Sequence, residues 1–293
     1  MRIAITGSTG FVGSAVTAAA ATRGHEIVRV LRVGSTITGR DDVCVDLEDL
    51  DGLAKMAAGV DAVVHCAASD NPDFVPISRA AAETMLAALP AAGRFVMQGG
   101  SVVFGDTGID AAENPEFADI PQLSSRIDFE KSVLSADSGE TLTRIVYGSM
   151  VYGGPGAAIP AMLMKVAIQH EAALYFGDGD QVWSTVHVQD FGSLLIDAAE
   201  NTDVGNAKLF AATRPVQLRP VASLIGSVLG LSSRAVATEE EEESFGPFRQ
   251  AMQMNQHYDS SPTRKQFGWR PYRSDEAGEF LACLTHQASH ANL

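Results

Sequence analysis

Short apolar runs alternate with alanine-rich or amphipathic stretches over the first half of the chain. Ile3, Ala4 and Ile5 are apolar in succession and stop at Gly7, which predicts a parallel strand buried on both faces. The alanine-rich residues 14–21 predict a helix, with Gly24 as its stop. Further strands are predicted over 27–32, 43–45, 61–68, 94–97 and 142–146, with helices over 48–58, 77–89 and 127–135. Strand and helix thus alternate for about 150 residues, which implies an α/β, doubly wound parallel sheet. The texture changes after Tyr152-Gly-Gly-Pro-Gly156. Strands are then predicted over 174–176, 183–188 and 209–212, and helices over 159–170, 191–199 and 221–229. The acidic run 239–243 reads as a solvated helix start that complements the helix dipole. Residues 264–269, with Gly268 as stop, open a final packing segment. Residues 285–293 lack periodicity and are expected to fray.

The first predicted turn carries candidate chemistry. Gly7, Gly10 and Gly13 sit between a strand and a helix. In that context the first glycine permits a tight turn, the second lets backbone approach a pyrophosphate, and the third lets helix and strand pack closely. The residue that would grip a ribose 2′-hydroxyl lies about twenty positions further on, at the end of the next strand. No acid stands there; Glu26 comes too early. Arg32 stands at the strand's end, where a guanidinium can pair with a 2′-phosphate. NADP is therefore the expected cofactor and NAD the second choice, with a solvated loop arginine as the structural alternative.

Charge narrows the partners. The 293 residues carry a formal net charge of -15. That argues against nucleic acid or an anionic membrane as partner and does not identify a substrate, which is expected to be a small molecule. No apolar run approaches the ~18 residues of a membrane span. The first residues form a strand the fold needs, so no signal peptide is expected. Three cysteines without metal-ligand spacing suit a reducing cytoplasm. No histidine pair has helical metal spacing with a third ligand nearby, so no metal is expected. A monomer or homodimer is expected.

Four stretches carry a resemblance: Thr6-Gly-Ser-Thr-Gly-Phe-Val-Gly13, His65-Cys-Ala-Ala68, Val151-Tyr-Gly-Gly-Pro-Gly156 and Val186-His-Val-Gln-Asp190. Phe267-Gly-Trp-Arg-Pro271 extends it almost to the C-terminus. The chain resembles the short-chain dehydrogenase/reductase superfamily in its extended form, the NAD-dependent epimerase/dehydratase family. The resemblance implies a Rossmann domain (1–152 with 183–212) and a smaller C-terminal substrate-capping domain (153–182 with 213–293). It implies cofactor contacts from Gly7, Thr9, Gly10, Phe11, Val12, Gly13, Asp46, Leu47, Cys66, Ala67, Ala68, Gln98, Ser149 and Met150, beside Arg32. Gly148 would share the nicotinamide end. It also implies a tyrosine four residues before a lysine, the phenol moving a proton and the lysine lowering its pKa. Here Lys131 matches the lysine, and Ile127 stands at the tyrosine position. Gly100 takes the place of the usual Ser/Thr, with Ser101 one position late and Phe104 replacing the following tyrosine. Tyr147 and Gly148 stand where Arg-Pro is usual. The resemblance is therefore to an atypical member.

Lys131, Ser101 and Tyr152 are the catalytic candidates, with Lys131 also a ribose contact; each has a structural alternative. Lys131 could be solvated, Ser101 a turn residue, and Tyr152 or Tyr147 a packing aromatic. His187, with Asp190 three residues on, reads better as a satisfied structural histidine at the domain junction, and Cys66 as a small apolar filler. Trp183 could wall the substrate pocket or pack between domains. Three functions follow: an oxidoreductase on a small carbonyl or alcohol, a non-redox isomerase, lyase or cyclase that retains NAD(P), and a nucleotide-sensing binding protein.

Overall fold

The computed structural model describes residues 1–37, 39, 41–68, 74–136, 141–154, 156–273 and 276–290. The first half runs β1 (Arg2–Thr6), α1 (Phe11–Thr22), β2 (Glu26–Leu31), β3 (Val43–Cys44), α2 (Leu50–Ala57), β4 (Ala62–His65), α3 (Phe74–Ala88), β5 (Arg94–Gly100), α4 (Ser124–Leu134) and β6 (Leu142–Gly148). The second half runs β7 (Met150–Tyr152), α5 (Ala158–Gln169), β8 (Ala172–Tyr175), β9 (Val182–His187), α6 (Val188–Glu200), β10 (Ala207–Phe210), β11 (Arg214–Gln217), α7 (Leu218–Leu229), β12 (Ser232–Ala235), α8 (Glu239–Glu243), α9 (Ser261–Phe267) and α10 (Glu276–His290). Among the described residues no helix is long and apolar enough to cross a membrane.

Seven strands form one sheet in the order β10-β6-β5-β4-β1-β2-β3. Every pairing in it is parallel. The strand order reverses direction between β1 and β4, the switch point at which open α/β sheets hold ligands. Consecutive side chains point to opposite faces, and both faces are covered. Ile3 and Ile5 pack with Val12 and Val16 of α1 and Phe191 and Leu194 of α6. Ala4, Val63 and Phe95 pack on the other face with Leu53 of α2, Met85 of α3 and Phe129 of α4. This double burial is why the strands read as continuous apolar runs rather than alternating ones. Each fully buried Ile or Phe adds about 1.5–3 kcal/mol.

Helices α1 and α6 lie close because Gly192 has no side chain: a Cβ there would sit 2.8 Å from the carbonyl carbon of Ala15. The buried Arg144 guanidinium ends α6, donating to the carbonyls of Ala198, Asn201 and Val204. A three-stranded sheet, β11-β9-β7, and a pair, β12-β8, lie outside the main sheet. A third core joins Leu163 of α5, Ile225 of α7 and Leu284 of α10 to this region.

Several boundaries differ from the sequence expectation. β5 runs on to Gly100, because Gln98, Gly99 and Gly100 keep pairing with Val146, Tyr147 and Gly148. α10 continues to His290, so residues 285–290 are helical although they carry no periodic pattern; 291–293 lie outside the described residues. Strands β11 and β12 had no apolar signal, since Arg214, Pro215 and Gln217 are exposed and both strands depend on a neighbour's ladder. The acidic run forms α8 with a capping box between Thr238 and Glu241, and Arg234 beside it holds the Glu241 carboxyl down to about 2.

Candidate functional site

The glycine turn is built as its spacing requires. Gly7 has φ +65°, and a Cβ on it would meet the Ala67 backbone at 2.8 Å. The Gly10 N–H donates to the Gly7 carbonyl over 2.9 Å. A Cβ at Gly13 would stand 2.1 Å from that carbonyl oxygen, so α1 can approach the turn only as glycine. Gly10 caps α1 without a side-chain hydrogen bond, and no acidic residue lies in the first turn. The helix start therefore offers N–H groups and a partial positive charge to an anion. Beneath it, the Thr6 hydroxyl lies 2.7 Å from His65 Nδ1, and His65 Nε2 lies 3.0 Å from the Ser78 hydroxyl. This chain ties β1 and β4 to α3. Complete burial, with a smaller contribution from the Arg126 charge, lowers the His65 pKa to about 4.

A cleft of about 1050 Å³ crosses the carboxyl ends of these strands. That is just above the roughly 300–1,000 Å³ of pockets for drug-sized ligands. Sheet order sets the order of its walls. Arg32, Asp46, Leu47 and Glu48 line it past β2 and β3. Gly7, Thr9, Gly10, Phe11 and Val12 line its middle, and Cys66, Ala67 and Ala68 follow past β4. Gln98, Gly99, Gly100 and Ser101 line it past β5, and Gly148 and Ser149 past β6. Arg32 is exposed there, and the Asp46 carboxylate accepts from the Val33 N–H over 3.1 Å.

Four of the expected site residues stand elsewhere. Gly13 is under the turn, where its missing side chain permits packing. Met150 is fully buried in the third core. Tyr152 is buried as well, its ring edge-on to His187 and Phe280, so it packs rather than faces the cleft. Lys131 is exposed on the outward side of α4, its ammonium 5.7 Å from the Phe117 ring centroid. Ile127 does not line the cleft either; it is buried in the core against the sheet. The tyrosine-lysine positions of the expected pattern therefore do not point at the site, because α4 turns other residues toward the end of β5.

Those residues are Arg126 and Glu130, one helical turn apart. Arg126 Nε lies 2.5 Å from Glu130 Oε1, and the Tyr147 hydroxyl donates to Glu130 Oε2 over 2.8 Å. Burial raises the Glu130 carboxyl, with Arg126 and the Gly100 backbone opposing it. Burial and Glu130 also raise the Tyr147 phenol well above its ordinary value. Tyr147 is thus a packing and positioning group beneath Gly99, where a Cβ would come within 2.3 Å of its ring. Ser101 lines the cleft, and its carbonyl accepts from the Tyr258 hydroxyl over 3.1 Å.

A strap around Gln256 closes this end. Its carbonyl accepts from Ser149 Oγ at 2.9 Å and from the Ser184 N–H at 2.8 Å. Trp183 lines the cleft and also donates its indole N–H to the Met254 carbonyl. Gln256, Leu123 and Phe248 carry no sequence motif and reach the cleft only through this tertiary path. His187 accepts from the Gln189 N–H at 3.2 Å, and the buried Asp190 accepts from the Tyr272 N–H at 2.9 Å. Burial pushes the Cys66 thiol up to about 12, which suits a filler and not a nucleophile. Among the described residues no cluster of His, Cys, Asp or Glu suits a metal ion.

Comparison with known proteins agrees with this geometry. The chain is 27% identical over 287 residues to an uncharacterized protein of Schizosaccharomyces pombe, covering 94% of this chain and 96% of that one. It is 26% identical over 279 residues to a dTDP-4-dehydro-6-deoxy-D-allose reductase of Streptomyces sp, covering 79% and 82%. The structure of MoeE5 in complex with UDP-glucuronic acid and NAD superposes with a TM-score of 0.74 at 22% identity, covering 99% of this chain and all of that one (100%). DesIV, a dTDP-glucose 4,6-dehydratase from Streptomyces venezuelae, gives 0.75 at 19% identity, covering 99% and 98%. At these identities the two structures establish a shared fold. The family model of the NAD dependent epimerase/dehydratase family matches residues 3–210, most of the sheet and the whole glycine turn. The chain belongs to the NAD dependent epimerase/dehydratase family.

Proposed function

We propose that the protein is an NADP(H)-dependent oxidoreductase acting on a small carbonyl or alcohol. The carrying observation is the cleft itself, which joins Arg32, the glycine turn and the Ser101 edge along one line of strand ends. The residues present fit a dinucleotide. The turn carries no side chain that blocks a pyrophosphate, and the first turn of α1 carries no acid that repels one. Arg32 would pair with the 2′-phosphate, and Asp46 and Leu47 would flank the adenine. The small side chains of Cys66, Ala67 and Ala68 leave room for the middle of the cofactor. Residues 1–152 with 183–212 would hold the nucleotide, and 153–182 with 213–293 would cover the substrate. The bound nucleotide supplies hydride transfer. The chain contributes orientation, exclusion of water and a hydroxyl, from Ser101, to hold the reacting oxygen. A cytoplasmic location suits the three free cysteines.

Steady-state assays with NADPH and a panel of aldehydes and ketones test this reading. Turnover should be faster with NADPH than with NADH. Ser101→Ala should lower kcat by about tenfold or more while leaving NADPH affinity unchanged. Tight NADPH binding with no turnover across a broad panel contradicts an oxidoreductase. One observation favours a second reading, a non-redox isomerase or lyase that retains the nucleotide: among the described lining residues there is no Tyr, Lys or His. Its signature is a nucleotide that survives purification and shows no net redox change on turnover; a freely exchanging nucleotide contradicts it.

A further inference from the structure

Past the β5 and β6 ends the same cleft has an apolar end chamber, walled by Val102, Leu123, Ile159, Trp183 and Phe248 from widely separated parts of the chain. Its polar groups are uncharged, and most are already committed. The Gln256 amide donates to the Gly105 carbonyl at 2.6 Å and accepts from the Tyr258 hydroxyl at 3.0 Å. Ser149 donates to the Gln256 carbonyl. The Ser101 hydroxyl is left to serve a ligand.

Among the described lining residues the cation is Arg32, at the opposite end. Sheet order places three strand spacings, roughly 14 Å, between the β2 and β5 ends. The first turn of α5 meets the chamber at Ala158 and Ile159, but Pro160 supplies no N–H, and no described residue lining this end of the cleft is cationic. Residues 69–73 and 155, outside the described set, include no Lys, Arg or His. A diphosphate needs guanidinium or ammonium partners, and an unpaired anion in an apolar chamber is strongly disfavoured. Small, rigid apolar ligands gain from such walls, with one hydroxyl to fix orientation.

We infer that this site takes a small, uncharged and largely apolar carbonyl compound or its alcohol, and that it rejects nucleotide sugars. The inference rests on the oxidoreductase reading above and names the substrate class of that site. Calorimetric titration of the NADPH-loaded protein tests it, with benzaldehyde, acetophenone and cyclohexanone in one arm and UDP-glucose and dTDP-glucose in the other. Saturable binding in the first arm and none in the second is expected. Phe248→Ala should weaken the aromatic probes by about tenfold with NADPH affinity unchanged. Saturable binding of either nucleotide sugar to the loaded protein overturns the inference, as does failure of all three uncharged probes. Both failures leave NADPH binding intact, whereas failure to bind NADPH at all overturns the cofactor reading itself.

Discussion

His65 shows what a single buried residue contributes beneath the site. Its ring joins Thr6 to Ser78, and it is held neutral because burial disfavours the charged form. The unfolded chain would protonate this histidine near 6.5, and the folded one only near 4. Between those values the unfolded state binds the extra proton, so folding weakens as pH falls through the window and is unaffected above it. The contribution is about 3 kcal/mol at most. Denaturant unfolding from pH 7 to pH 4 should show a steeper loss of stability for the wild type than for His65→Gln; equal slopes would show that His65 is not the titrating group. The sequence placed His65 in the strand and gave no sign of this linkage, since its partners come from two other elements. Arg32 was legible because strand-end position alone brings it to the cleft. Lys131 and Tyr152 were not: their side-chain directions depend on how α4 and β7 rotate against the sheet, which linear spacing does not reveal.

At the scale of elements, the strands were readable because burial on both faces leaves an uninterrupted apolar run. What was hidden is where pairing stops. The strand predicted over 94–97 stops short of Gly99 and Gly100, yet both extend β5 against β6. They then differ sharply. A Cβ on Gly99 would collide with the Tyr147 ring at 2.3 Å, whereas one on Gly100 would meet nothing within 4 Å. Gly99→Ala should destabilise by about 1–3 kcal/mol through overpacking, and Gly100→Ala should stay within about 0.5 kcal/mol. Unfolding midpoints measured on the two variants check this; equal losses would contradict the packing of Tyr147 over Gly99. The Arg126–Glu130–Tyr147 group, its last two members buried, explains why Tyr147 cannot yield. Its hydroxyl is anchored by a carboxylate that is itself fully enclosed. The strap from Met254 to Tyr258 was invisible in the sequence for a similar reason, because its role arises only where it crosses β9 and the loop after β5.

Across the whole molecule, a parallel sheet with a switch point between β1 and β4 supplies the frame, and the apolar end of the cleft is walled from both halves of the chain. With a net charge of -15, the protein as a whole repels anions, so on the proposed reading an anionic cofactor is drawn in by local groups, the start of α1 and Arg32. The most direct measurement is calorimetric titration of NADPH and NADH into the wild type and Arg32→Ala. The wild type should bind one nucleotide per chain and prefer NADPH. Arg32→Ala should weaken NADPH by about tenfold or more and leave NADH nearly unchanged. Equal losses for the two nucleotides, or no binding of either to the wild type, would contradict the account.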